Sequence, residues 1–192
     1  VGFLLKFYGT AISQRKNHTM TKKEFLNAVS NAKEDIIQIF LDALSTSSSN
    51  YCVIGGLAVN AYPEPVVSLD LDIVVAAENI ETVCNTIESY FKTERFAHSI
   101  NLSTDKSDLR IQLQTDSRYQ DFISRATGHR VLEYKMKVAS AEDVLQRKIW
   151  AYSDEHRRKS KRQKDLADIV RLIEVYPSLT DLIPASIKER IE

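Results

Sequence analysis

Two carboxylates stand two residues apart in a run of branched apolar residues, Leu69-Asp70-Leu71-Asp72-Ile73-Val74-Val75. The run has the length and composition of a buried strand. In a strand, residues two apart share a face, so Leu69, Leu71 and Ile73 point one way and Asp70 and Asp72 the other. Two close carboxylates on a buried strand raise each other's pKa unless a cation lies between them. Two hard oxygen ligands in that arrangement suit Mg2+, or Mn2+, bound through one or two carboxylates together with substrate phosphates.

A second chemical element precedes the acids. Gly55-Gly56 follows the apolar run Tyr51-Cys52-Val53-Ile54 and opens the small-residue segment Leu57-Ala58-Val59-Asn60-Ala61-Tyr62. Glycine takes positive φ without strain and lets backbone approach a ligand. Amides exposed at a helix start make a phosphate cradle. A strand, a Gly-Gly turn, one or two helical turns, a proline-containing loop and an acid-bearing strand therefore offer a cradle and a metal-binding pair in one unit. A bland alternative is a strand–turn–strand with two surface acids, but solvated acids do not require such apolar flanks.

This unit resembles the signature of the nucleotidyltransferase superfamily, a strand ending in Gly-Gly, a short helix and a strand carrying Asp-x-Asp. Within it the chain is similar to small bacterial and archaeal nucleotidyltransferase-like proteins, including toxin components of the AbiE abortive-infection type. The resemblance covers most of residues 21–180. It implies an α/β (α+β) fold, a mixed sheet flanked by helices with a C-terminal helical portion. It also implies transfer of a nucleoside monophosphate from an NTP to an acceptor hydroxyl, on RNA (tRNA), a protein or a small molecule. Asp70 and Asp72 would hold the metal and act in catalysis, and Gly55, Gly56 and Ser68 would contact the nucleotide. A cognate antitoxin is the partner that a toxin-type relative would have.

Further residues follow in the family's order. Ser140 with Asp143 reads as a helix cap ahead of a helix carrying Lys148. Similar proteins place a triphosphate-binding lysine there, whereas a lone helical lysine is ordinarily a solvated charge. Lys164-Asp165 followed by Asp168 resembles a Lys-Asp motif of small relatives. It implies nucleotide contact by Lys164 and an active-site role for Asp165, as a base or as a partner of Lys148. Asp165 and Asp168 have an alternative use, pairing with Lys161, Arg162 or Arg171 at helical spacing. Six of the eight residues from Arg157 to Lys164 are basic. Such a cluster suits the phosphates of a nucleotide or of RNA, and its bland reading is a solvated helix start.

Two positions depart from the family pattern. Relatives carry a third acid on a neighbouring strand, and the matching position in the alternating run 108–115 is Gln112. An amide cannot accept the proton of an attacking hydroxyl and is a weak metal ligand. Asp108 and Asp116 lie nearby without the usual context. Relatives also carry Arg-x-Thr before the acid pair, where this chain has Val66 and Ser68. These departures leave a second function open, a nucleotide-binding or interaction module that transfers nothing. A third is nucleic-acid binding through residues 157–164 alone.

The 192 residues carry 26 basic and 26 acidic side chains, so the charge balance does not mark a general nucleic-acid binder. Cys52 and Cys84 read as reduced core residues of a cytoplasmic protein and form no zinc motif. No apolar run is long enough to span a membrane. The four histidines, 18, 98, 129 and 156, have no metal or triad spacing. Residues 1–19 are expected to be an extension from an upstream start, or an arm that packs on a partner subunit. The core is expected over 20–139, opened by a capping box at Thr21 and Glu24, and the helical portion over 140–192. The periodicity predicts one helix over 21–44, another from Glu78 to Phe91, a strand over 95–100, a polar turn over 101–108, a helical turn over 119–126 and strands within 129–140. Whether the chain pairs with a second copy is left open.

Overall fold

A computed structural model of the chain describes residues 19–191. Tyr51–Ile54 (β1) and Asp70–Val75 (β2) form the middle of a seven-stranded mixed sheet. They pair antiparallel with Ile54 opposite Asp72. β2 runs parallel to Ser107–Gln114 (β5), which is joined antiparallel by Ser99–Thr104 (β4) and then Lys92–Arg95 (β3). On the other side β1 runs parallel to Tyr134–Val138 (β7), which forms a hairpin with Thr127–Val131 (β6). The two central strands are the most apolar of the set, and Cys52, Val53, Ile54, Leu71, Ile73, Val74 and Val75 are all fully buried. Covering both faces of a sheet demands this continuous apolarity.

Helices cover the sheet. Ile36–Thr46 (α2) packs on β7 and on Ile80–Ile87 (α4), and the Tyr134 hydroxyl donates to Asp35 at 2.8 Å to tie β7 to the start of α2. Ala141–Ser153 (α6) packs on the short helix Gly55–Val59 (α3) and on Lys159–Val175 (α7). The predicted cap is present: the Asp143 amide donates to Ser140 Oγ at 3.2 Å. Phe122–Arg125 (α5) fills the expected turn between β5 and β6, and Ala185–Ile191 (α8) ends the described chain. No helix among the described residues is long and apolar enough to cross a membrane. The expectations for residues 1–19 fall, but for Thr19, outside the described residues.

Two local expectations are corrected. The helix expected over 21–44 is two helices, Lys22–Val29 (α1) and α2. The Thr21–Glu24 capping box opens the first, with both of its hydrogen bonds made. Asn31 then adopts φ 49°, and the loop docks on the β4–β5 hairpin through Asp108 N–H to Ser30 O (2.7 Å) and Lys33 N–H to Lys106 O (2.8 Å). Asp35 caps the second helix. Asn and Asp side chains compete for backbone partners and favour such breaks. The break turns Phe25 and Val29 outward, although the unbroken pattern counts them as core. The second correction concerns the segment expected as a strand over 95–100 and a turn over 101–108. There β4 occupies 99–104, with Ile100 and Leu102 buried and polar residues between them, and the turn shrinks to Asp105-Lys106.

Candidate active site

The site forms where β1 ends and β2 begins. Gly55 has φ 79°, a left-handed backbone that turns the chain out of β1 directly against Asp72. A Cβ on Gly55 would lie 2.0 Å from Asp72 Oδ2 and 2.8 Å from its Cγ. The glycine is therefore required both by conformation and by the space that Asp72 occupies. Gly55→Ala is expected to melt well below the wild type, because an alanine at positive φ costs about 1 kcal/mol or more before the clash is counted. Gly128→Ala, where an added Cβ meets nothing within 4 Å, should stay within about 0.5 kcal/mol of wild type. Equal melting of the two variants would remove the steric argument.

Gly56 faces the loop that feeds β2. Its missing Cβ would sit 2.9 Å from Ser68 Oγ and 3.7 Å from Lys164 Nζ. The structure thus brings Gly55, Gly56, Ser68, Lys164, Asp70 and Asp72 into one neighbourhood. Asn60 holds the loop with two bonds, Nδ2 to Val66 O at 2.7 Å and Val66 N–H to its Oδ1 at 2.9 Å. The side chain of Arg171, on α7, also donates to Asn60 Oδ1. A paired side-chain amide of this kind substitutes for a backbone turn. Asn60 was not legible as a site-building residue, because its role depends on a partner six residues away.

Asp70 and Asp72 face a cleft of about 210 Å³, also lined by Asn101, Arg110, Ile111, Gln112, Arg147, Arg157 and Lys161. Four basic side chains thus stand against two carboxylates. Lys161 Nζ lies 3.2 Å from Asp70 Oδ2, Arg110 Nε 3.5 Å from Asp70 Oδ1, and Arg147 Nη2 3.4 Å from Asp72 Oδ2. Arg147 is the buried member at 8% exposure, and its Nε makes no hydrogen bond. Burial works against its charge, but Asp72, then Tyr119, Asp165 and Asp168 outweigh it and hold the pKa above the ordinary arginine value. Arg157 and Lys161 belong to the basic cluster visible in the sequence. Arg147 and Arg110 were not singled out there, since a helical or strand arginine ordinarily meets solvent. The nearest signal was the position of Arg147 beside Lys148.

Lys148 and Asp165 reach one another and not the cleft. Lys148 Nζ lies 2.9 Å from Asp165 Oδ1 and 2.6 Å from Asp168 Oδ2. Arg157 Nε lies 2.6 Å from Asp165 Oδ2, and Arg171 Nη1 lies 2.8 Å from Asp168 Oδ1. Asp165 is 1% exposed and Lys148 3%. Of the two roles open to Asp165, the geometry matches partnership with Lys148. Helical spacing accounts for the Asp168–Arg171 pair, while Arg162 instead donates to the Tyr152 carbonyl.

The strand register puts Gln112 level with Asp72. Its Nε2 donates to Asn101 Oδ1 at 2.9 Å and Ser99 Oγ at 3.2 Å, and its Oε1 accepts from Gln114. Asp108 accepts from Asn31 and Asp116 pairs with Arg118 at 2.7 Å; neither lines the cleft. No group of three His, Cys, Asp or Glu suited to a metal occurs among the described residues. The donor set fits a divalent cation only in the mode that uses Asp70 and Asp72 and leaves the remaining positions to phosphate oxygens and water. Both carboxylates line one cleft, and Asp72 packs on the glycine turn, which agrees with that mode.

No protein-family model matches the chain. No curated protein matches it either. Solved structures do. The antibiotic-resistance factor ANT(2'')-Ia superposes with TM-score 0.60 at 11% identity over 81% of this chain and 91% of that one. Its crystal structure with adenylyl-2''-tobramycin gives 0.60 at 14% identity over 82% and 97%. The lincosamide antibiotic adenylyltransferase LnuA, lincomycin-bound, gives 0.54 at 14% identity over 74% and 99%. At such identities the likeness is one of backbone. The mixed sheet, the glycine turn after β1 and the acid pair opening β2 lie within a backbone of that kind, and the chain has the nucleotidyltransferase fold.

Proposed function

We propose that the chain transfers a nucleoside monophosphate from an NTP to an acceptor hydroxyl. The observation that carries this reading is the pairing of Asp70 and Asp72 with a cleft whose other charged groups are all cationic. Acids without a cationic wall would suit a metal alone, and cations without the acids would suit any anion; together they fit a metal-bound polyphosphate. The adenylyltransferase name of LnuA and the adenylyl-2''-tobramycin held by ANT(2'')-Ia support the same reaction class.

Asp70 and Asp72 would hold Mg2+ or Mn2+, which when bound polarises the α-phosphoryl group and neutralises charge on the leaving pyrophosphate. Gly55, which packs on Asp72, and Gly56, Ser68 and Lys164, grouped beside it, would position phosphate oxygens. Arg147, Arg157 and Lys161 would stabilise the leaving pyrophosphate as its bond to the α-phosphorus breaks and the acceptor oxygen bonds to that phosphorus. The acceptor's proton has two outlets, the part-exposed Asp70 carboxylate and bulk water, because Gln112 accepts none. A hydroxyl of RNA, a protein or a small molecule fills the acceptor role, and a toxin-type activity would add a cognate antitoxin as partner.

The test is label transfer. Purified protein is incubated with each α-³²P-labelled NTP, Mg2+ and total cellular RNA, protein and small-molecule extract. A labelled product establishes the reaction and its acceptor class; no product with any NTP overturns it.

One observation favours a second reading. The Gln112 amide is spent on Ser99, Asn101 and Gln114, so the third-acid position belongs to the sheet's own bonding. A chain that binds nucleotide without transferring it would look the same. Gln112→Asp separates the two. A rise in transfer marks a lapsed site, and unchanged transfer shows that position 112 is not where the proton goes.

A further inference from the structure

The acid pair and its cations raise a question that the transfer reaction leaves open, namely what keeps two neighbouring carboxylates, one buried and one part-exposed, compatible before substrate arrives. Each already has a counter-ion from the chain. Both oxygens of Asp70 face a cation, Lys161 on one and Arg110 on the other. Asp72 Oδ2 faces Arg147. The metal positions are therefore electrically satisfied without a metal, and a bare divalent cation entering there would meet three cations already in place. It would also lack a third protein carboxylate to complete its shell.

We propose that Lys161 and Arg147 are resident counter-ions of Asp70 and Asp72, so that a divalent cation enters only as its polyphosphate complex. The cations then turn from the carboxylates to the phosphate oxygens. The proposal rests on the reading of the cleft as a nucleotide site and adds a rule for its occupation. Three observations converge on it. The cationic surplus of the cleft is matched by a polyphosphate and not by the acids alone. The Nε of Arg147 is buried without a hydrogen-bond partner, and a phosphate oxygen is the acceptor that a cleft-lining guanidinium takes best. The Lys161–Asp70 pair is more than a third exposed on both sides, at 37% and 34%, so it is a weak pair that exchange can open. The Arg147–Asp72 pair, at 10% and 12%, is the better shielded of the two and anchors the arrangement. Exchange therefore begins at Asp70.

The experiment measures binding, with inorganic tripolyphosphate as a probe that carries no nucleotide to transfer. Mn2+ alone is titrated by electron paramagnetic resonance, and preformed Mn–tripolyphosphate by calorimetry. Wild type should take the complex at least ~10-fold more tightly than Mn2+ alone. Lys161→Met should shift the two in opposite directions, tightening Mn2+ alone and weakening the complex. Arg147→Lys keeps the charge but removes the Nε donor, and should weaken the complex while leaving Mn2+ alone unchanged. Wild type that binds Mn2+ alone as tightly as Lys161→Met does, or a Lys161→Met variant in which both ligands weaken together, overturns the proposal. Absent label transfer with the opposite shifts intact would remove the transferase reading and leave the counter-ion rule standing.

Discussion

Asp70→Asn is expected to cut nucleotidyl transfer by roughly 10³-fold or more while leaving the melting temperature close to wild type. Asp72→Asn is expected to abolish transfer equally and to melt lower as well. The kinetic loss follows from the metal. A divalent ion contributes several kcal/mol of transition-state charge stabilisation, and each 1.36 kcal/mol is about tenfold in rate. An amide in place of either carboxylate halves the protein's share of the ligands. The stability difference follows from burial. Asp70 is one-third exposed, and the cations beside it, Lys161 and Arg110, are exposed enough to turn to water. Asp72 is buried against Arg147, whose guanidinium would be left without its nearest counter-ion. Breaking a buried pair costs about 3–5 kcal/mol. The lower end applies here because Asp165 and Asp168 also act on Arg147. For a chain of this size that is a fall of roughly 6–12 °C. Label transfer and thermal melting on the same preparations check both halves. Wild-type rates in both variants would sink the assignment of the acids, and equal melting would sink the role given to Arg147.

The part of the site that could be read before the fold was known is the part encoded by neighbours in sequence. Gly55-Gly56 and Asp70-x-Asp72 announce themselves because strand alternation and glycine's backbone freedom are local properties. The register of β2 against β5 was legible in outline, since the alternation around Gln112 matches that around Asp72 and the strands pair them. The break between α1 and α2 was hidden because apolar spacing resumes in phase after it. Only the left-handed Asn31 and the docking of Ser30 and Lys33 on the β4–β5 hairpin reveal it. The cations on the acid pair were hidden for a different reason. Arg110, Arg147 and Lys161 come from three separate elements and meet only when α6 and α7 close over the end of the central strands. Arg147 and Lys148 are adjacent in sequence, yet one turns to the acids and the other to Asp165. A motif match assigns a role to a position in the chain, while a helix distributes consecutive residues about 100° apart around its axis.

Lys148 is where that difference has its largest consequence for stability. A triphosphate-binding lysine must reach solvent or substrate. This one is buried, with Asp165 Oδ1 at 2.9 Å and Asp168 Oδ2 at 2.6 Å, and it joins α6 to α7 through a shared pair of carboxylates. Lys148→Met would leave both acids buried, supported only by Arg157 and Arg171 from one side each. Removing one partner of such a network destabilises by about 3–5 kcal/mol, or roughly 6–20 °C in melting temperature for a chain of this size. The loss should be partly relieved in the double variant Lys148→Met, Asp168→Leu, because one of the two desolvated carboxylates is replaced by an apolar side chain while Asp165 keeps Arg157. A nucleotide-binding lysine predicts the reverse pattern: unchanged melting, a raised KM for NTP, and no rescue by a second substitution. Urea denaturation of the single and double variants, read beside KM for NTP, separates the two. Wild-type stability in Lys148→Met would return the lysine to the nucleotide and leave α6 and α7 held together by their apolar faces alone.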